Sequence, residues 1–277
     1  MISYHTVEIE DLHIFYREAG DVNLPVMLLL HGFPSSSHMF RDLIPHLEAK
    51  YHIIAPDFVG FGQSAAPTDF EYTFDHLTSI TAKLLAKLKI PSFYMYVFDY
   101  GAPVGFRLAM TKPDTILGII SQNGNVYSKG LGPKWAERAK YWAHPTPELR
   151  HEYESAFAPA TIRGQYLTGT KPGTVSPDGY TLDIAYTNTP GYAKRQSDLI
   201  YDYRTNVDLY PKFQEYLRRY QPKLLAVWGK NDVSFVPAGA RAFKDDLPNA
   251  RVELLDTGHF ALETHASEIA SLILATF

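Results

Sequence analysis

Asp99 lies in the run VFDYGAPVGF, Val97 to Phe106, between the apolar stretch FYMYV and the helix-like GFRLAM. The form small-x-acid-x-small reads as a sharp strand-to-helix turn that lifts its central side chain above a sheet, with Gly101 and Ala102 leaving room for strand and helix to pack closely. A carboxylate at such an elbow constrains the reaction. Serine attacking a saturated carbon would leave an ether that water cannot cleave, whereas a carboxylate leaves a hydrolysable ester. An ordinary aspartate, with a pKa of about 3.9, is already anionic at neutral pH and needs no base. The expected substrate therefore carries an electrophilic sp3 carbon, such as an epoxide or an alkyl halide. The plain alternative is an aspartate that caps the following helix.

An ester intermediate needs a base, an orienting acid and an oxyanion hole, and candidates follow in the order nucleophile, acid, histidine. His259, in DTGHFALE after the RVELLD stretch, is suited as neutral imidazole to deprotonate water. Asp232, in the turn GKND, would hold the other ring nitrogen, although aspartate is also a routine turn residue. Asn123 in SQNGN is the fallback, able to orient the imidazole without neutralising its charge. The turn HGFP, His31 to Pro34, follows the apolar VMLLL and stands where an oxyanion-hole amide is needed. Pro34 has no N–H, so the donors are the backbone amides of Phe33 and Tyr100. His31 is read as structural, with a cis bond expected before Pro34.

The elements that must position these groups alternate. TVEIE and HIFYRE read as a hairpin, and VMLLL as a strand buried on both faces. HIIAPDF (52–58) is a strand, FDHLTSITAKLLAKL (74–88) an amphipathic helix and FYMYVFD the strand that ends at the elbow; GFRLAMTK is a helix, followed by the apolar ILGIISQN. This is the signature of an α/β fold with a mostly parallel sheet and helices on both faces. Residues 127–221, rich in Pro, Gly and Tyr, break the pattern with helical pieces such as PKWAERAKYWA and YPKFQEYLRRY. PKLLAVWG, a helix around AGARAFKDDL, RVELLD and a terminal helix then resume it. The predicted organisation is one core in two parts, 1–126 and 222–277, with 127–221 a helical lid over the C-terminal ends of the strands.

The 277 residues suffice for such a domain with its insertion, and a net charge of −4 with a pI near 6.2 disfavours nucleic-acid binding. With no cysteine there is neither disulfide nor thiol catalysis, which fits a reducing, cytoplasmic setting; no segment reads as a membrane span or export signal. DFVGFGQS (57–64) has two glycines spaced to begin a dinucleotide fingerprint, but the third is missing, so it reads as a tight supporting turn. No cofactor and no metal are expected, and the anticipated partner is a small apolar electrophile.

In this order HGFP, DFVGFGQS, VFDYGAPVGF, WGKND and TGHFALE closely resemble the α/β-hydrolase fold, and with aspartate at the elbow its branch of epoxide hydrolases and haloalkane dehalogenases. The resemblance covers about 1–126 and 222–277 well and the insertion loosely. Epoxide hydrolases protonate the leaving alkoxide from two lid tyrosines, which the resemblance maps to Tyr203 in YDYRTN and, by spacing, to Tyr141 in AKYWA. Any one of 19 tyrosines is more often packing or surface than catalytic. Haloalkane dehalogenases cradle halide with a tryptophan after the nucleophile and a second donor, where this chain has Tyr100 and Phe33; Trp142 is the indole that keeps halide binding in view. The arginines by which fluoroacetate dehalogenases hold their substrate's carboxylate are replaced here by Tyr100 and Pro103. An epoxide hydrolase is the first expectation, a dehalogenase the second, and a ligand-binding receptor with little turnover the third. The intact set of Asp99, Asp232 and His259 argues against the receptor.

Overall fold

The computed structural model describes residues 1–277, the side chain of Ser155 excepted. Two strands, β1 (Ser3–Ile9) and β2 (Leu12–Ala19), form the expected hairpin, and β3 (Val26–Leu30) follows. A short helix α1 (Ile44–Leu47), which has no clear sequence signal, precedes β4 (His52–Pro56), α2 (Phe74–Lys87), β5 (Phe93–Phe98), α3 (Gly101–Thr111) and β6 (Ile116–Gln122). Five helices then intervene: α4 (Lys134–Ala143), α5 (Pro147–Glu154), α6 (Pro159–Leu167), α7 (Pro177–Thr187) and α8 (Tyr192–Tyr220). The core pattern returns with β7 (Leu224–Gly229), α9 (Pro237–Asp246), β8 (Arg251–Leu255) and α10 (Leu262–Thr276).

The eight strands form one sheet in the order β1-β2-β4-β3-β5-β6-β7-β8, antiparallel at β1-β2 and β2-β4 and parallel elsewhere. Continuous apolarity in the central strands is what burial on two faces demands, because successive side chains point to opposite sides. Leu28, Leu30, Met95, Val97, Ala226 and Trp228 enter the core that also holds the buried faces of α2, α3, α8 and α9. Met27, Leu29, Tyr96, Phe98, Leu225 and Val227 enter the opposite core, with α1 and α10. No helix among the described residues is long and apolar enough to cross a membrane.

The 29-residue α8 extends well beyond the YPKFQEYLRRY expected to be helical, and it carries Pro211 inside. Proline removes one backbone bond and argues against a continuous helix. The buried stripe Gln196, Leu199, Tyr203, Asn206, Tyr210, Phe213 and Leu217 runs at alternating steps of three and four straight past it, so packing overrides the local preference. Polar bonds tie this helix to the core. Arg107 of α3 donates to Asp75 of α2 at 2.7 Å and to Thr205 Oγ1 of α8 at 3.0 Å, and Asp202 of α8 accepts the Phe74 N–H that opens α2.

Glycine is required where strand and helix meet. A Cβ on Gly101 would lie 2.2 Å from the Leu30 carbonyl oxygen, backbone that cannot yield. Gly101→Ala is therefore expected to destabilise by at least the roughly 1–3 kcal/mol typical of overpacking, whereas Gly164→Ala, inside α6 with no atom within 4 Å of the new methyl, should be neutral or stabilising. Urea midpoints check this; equal midpoints for the two variants would contradict it.

Candidate active site

Asp99 has a left-handed backbone, φ 45°, between the last residue of β5 and the first turn of α3. This costs free energy for a residue with a Cβ and projects the carboxylate above the strand ends. One carboxylate oxygen, Oδ1, accepts the Phe33 N–H at 2.7 Å, and the Tyr100 N–H further stabilises the charge. The loop supplying Phe33 reaches this close because its neighbour is Gly32. A Cβ there would meet Asp99 Oδ1 at 2.5 Å and Tyr100 N at 2.8 Å. The Phe33–Pro34 bond is cis, as expected.

Oδ2 faces His259, whose Nε2 lies 3.8 Å away, too far for a hydrogen bond. Nδ1 of His259 donates to Asp232 Oδ2 at 2.7 Å, which leaves the Nε2 lone pair directed at the nucleophile. Asp232 is fixed by its own turn, with Oδ1 accepting from the Ser234 and Phe235 amides at 2.7 and 3.2 Å. Asn123 donates to Asp232 Oδ2 at 2.7 Å and accepts the Gly229 N–H at 3.1 Å. It therefore positions the acid and does not replace it. Gln122 donates to the His259 carbonyl at 3.1 Å while accepting the Tyr96 hydroxyl, a support that apolar patterning in β6 gave no reason to seek.

Burial pushes the Asp99 carboxyl above the usual range, against the opposing charge of His259 and the amides of Phe33 and Tyr100. For His259 burial works against protonation, but the charge and hydrogen bond of Asp232, with Asp99 beyond, outweigh it and hold the imidazole above its ordinary 6.5. His31 is a structural residue, as expected. It is fully buried, accepts the Phe58 N–H at 2.9 Å and is depressed to about 3 by desolvation. The DFVGFGQS turn is a support: Asp57 accepts the Ser37 and Gln63 amides at 2.7 and 2.8 Å.

A cavity of about 590 Å³ opens above Asp99 and His259. Phe33, Tyr100, Phe157, Ile200 and Val233 make its apolar walls, and Lys134, Arg138, Tyr153, Thr161, Gln165 and Thr168 its polar side. Three residues expected at this wall lie off it. Tyr141 shares a helix face with Lys134 and Arg138 but lies a turn further along α4, where it is buried against Tyr153 and Tyr201. Trp142 donates its indole N–H to the Ile200 carbonyl at 2.9 Å and has no N–H left for a ligand. Tyr203 is fully buried behind Tyr100, ring centroids 5.9 Å apart, with its hydroxyl 3.3 Å from that of Tyr210. Sequence reading missed Tyr153 and Arg138; helical charge and tyrosine patterns in α4 and α5 do not reveal which face meets the cavity.

The sequence profile of the alpha/beta hydrolase fold matches residues 25–266. An uncharacterized hydrolase of Saccharomyces cerevisiae is 44% identical over 99% of this chain and 97% of its own length. A haloalkane dehalogenase of Bradyrhizobium diazoefficiens is 39% identical over 104 residues, 38% of this chain and 33% of that protein. The crystal structure of a haloalkane dehalogenase from Bradyrhizobium elkani superimposes with a TM-score of 0.82 at 24% identity, covering 99% of this chain and 97% of that one, a likeness of fold. The chain belongs to the α/β-hydrolase fold family, as an enzyme with aspartate at the elbow.

Proposed function

We propose that the protein hydrolyses epoxides to vicinal diols through an aspartyl ester. Asp99 Oδ2 attacks a ring carbon; the C–O bond breaks, and the ring oxygen takes a proton from a phenol. Oδ1, beside the Phe33 amide, becomes the ester carbonyl oxygen and next the oxyanion of the tetrahedral intermediate, so the donor that holds the resting carboxylate also stabilises the developing charge. His259 Nε2 takes a proton from water as the hydroxide adds to Cγ, with Asp232 stabilising the imidazolium. Collapse expels the diol oxygen, which receives that proton; the second proton of the water, left on the carboxyl, returns to the phenolate, and the carboxylate is regenerated.

The observation that carries this reading is the state of the donors around the nucleophile. Dehalogenases of the related branch cradle the departing halide with indole N–H groups, but here the indoles of Trp135, Trp142 and Trp228 donate to the carbonyls of Ser234, Ile200 and Phe235 at 2.9, 2.9 and 2.7 Å. The two residues of the amide cradle, Phe33 and Tyr100, have no side-chain N–H. An alkoxide needs a proton, and phenols adjoin the site. We assign the acid role to Tyr153, which faces the cavity; Tyr203 is buried behind Tyr100 with its hydroxyl beside that of Tyr210 and supports the site from below. Burial raises Tyr153 and Tyr203 above the ordinary 10, which keeps them protonated at neutral pH. The named dehalogenases among the relatives support the second reading, a hydrolytic dehalogenase using the same aspartate.

Wild type and Asp99→Ala assayed on matched epoxide and haloalkane panels should give diol from the wild type alone; halide release in place of diol would transfer the assignment to the second reading. After a single turnover in heavy-oxygen water the Asp99 peptide should carry label, and an unlabelled peptide beside labelled diol would exclude the ester. Tyr153→Phe should slow ester formation about 10²-fold or more, the usual worth of a general acid, and leave ester hydrolysis intact.

The hydrolysis step requires neutral His259, so its rate should fall as pH drops through a midpoint above 6.5. Asp232→Asn removes the main cause that raises this pKa, so the midpoint should move to lower pH while the plateau falls by roughly 10²–10⁴. A midpoint moving upward in stopped-flow profiles would contradict the assignment of Asp232.

A further inference from the structure

The cavity wall contains a cation whose hydrogen-bonding capacity no group among the described residues uses. Arg138, half-buried on α4, stacks its guanidinium over the Trp135 ring at 4.2 Å from the centroid. Trp135 is itself anchored through its indole N–H to Ser234 and by stacking on Phe235. The guanidinium is thus placed by a ring face, which consumes none of its N–H donors. Arginines elsewhere are differently engaged: Arg41 is forked onto Glu263, Arg107 bonds Asp75 and Asn206, and Arg195 bonds the carbonyls of Gly60 and Pro190. Among the described residues Arg138 has no hydrogen bond or ion pair, yet it faces the same cavity as Asp99 and His259, and its charge is felt at both.

One neighbour on the same helix adds a second positive charge. Lys134, four residues earlier and so on the same face of α4, also lines the cavity. Glu137 lines it too, but is neutralised by Lys140 at 2.8 Å. Asp99 repels an anion close by, so the position for one is away from the nucleophile, beside Arg138. Apolar walls of Phe33, Phe157 and Val233 border the same cavity.

We propose that Arg138 forms an anion subsite and that the enzyme's substrate is an amphiphilic electrophile: a reactive carbon over Asp99, an apolar body, and a carboxylate tail received by the Arg138 fork. The planar guanidinium matches a carboxylate bidentately, which a point charge does not. The subsite rests on the geometry of Arg138, and its assignment to the tail of a substrate rests on the hydrolase reading above.

Binding is tested without turnover, on Asp99→Asn protein, by calorimetry with 4-phenylbutanoate and its uncharged isostere 4-phenylbutanamide. The carboxylate should bind about 10- to 100-fold more tightly than the amide, the range for a hydrogen bond to a charged group. Adding Arg138→Gln should bring the ratio close to one, and Arg138→Lys should leave part of it, since charge remains without the fork. No preference for the carboxylate with Arg138 present, or a preference that survives Arg138→Gln and disappears with Lys134→Gln, would overturn the proposal. A second arm compares kcat/KM for an epoxy acid and its amide in Asp99-intact protein, where Arg138→Gln should raise KM for the acid selectively. Carboxylate binding without turnover of any epoxide would leave the subsite standing and remove the epoxide hydrolase reading, so the two fail separately.

Discussion

One hydrogen bond organises this active site, the 2.7 Å donation from the Phe33 amide to Asp99 Oδ1. It distinguishes the two carboxylate oxygens, one held by backbone and the other turned towards His259. That distinction requires Asp99 at the left-handed elbow, Gly32 without a side chain, and β3 and β5 paired so that both loops emerge at the same edge. A serine elbow leaves such amides empty until substrate arrives. With aspartate the cradle is filled from the start, and the cost of burying the charge is partly offset by the Phe33 and Tyr100 amides and by His259.

Much of the core was legible because its central strands are buried on both faces and so are apolar without interruption. The elbow, His259 and Asp232 were legible for another reason: each sits at the C-terminal end of a strand, in a turn whose glycines or short polar residues mark it. The insertion was not. Tyr141 and Tyr153 are both tyrosines on short lid helices with mixed polar surroundings, and only tertiary packing decides that Tyr153 faces the cavity while Tyr141 faces its neighbours. α8 was underestimated because Pro211 is a strong local signal, whereas the stripe that overrides it becomes persuasive only over its whole length. Asn123, read as a substitute for Asp232, is its partner, a relation between strand ends that spacing along the chain does not encode.

Both sides of the cavity depend on aromatic surfaces. Below, Tyr100 packs against Phe33, Phe61, Phe74 and Tyr203 and closes the site against water from the core side. Above, Trp135 touches Tyr203 and Phe235 on one side and supports Arg138 on the other. The indoles that would otherwise serve as ligand donors are thereby committed to structure, each bonded to a backbone carbonyl.

The buried stripe of α8 runs from Gln196 to Leu217, and the same helix packs against α2, α3, α4, α5 and α9. An insertion anchored along its longest helix is not hinged like a door. The cavity's polar side is carried by the shorter helices α4, α5 and α6. Substitutions in those helices would reshape what the cavity accepts without touching the buried stripe that secures the insertion.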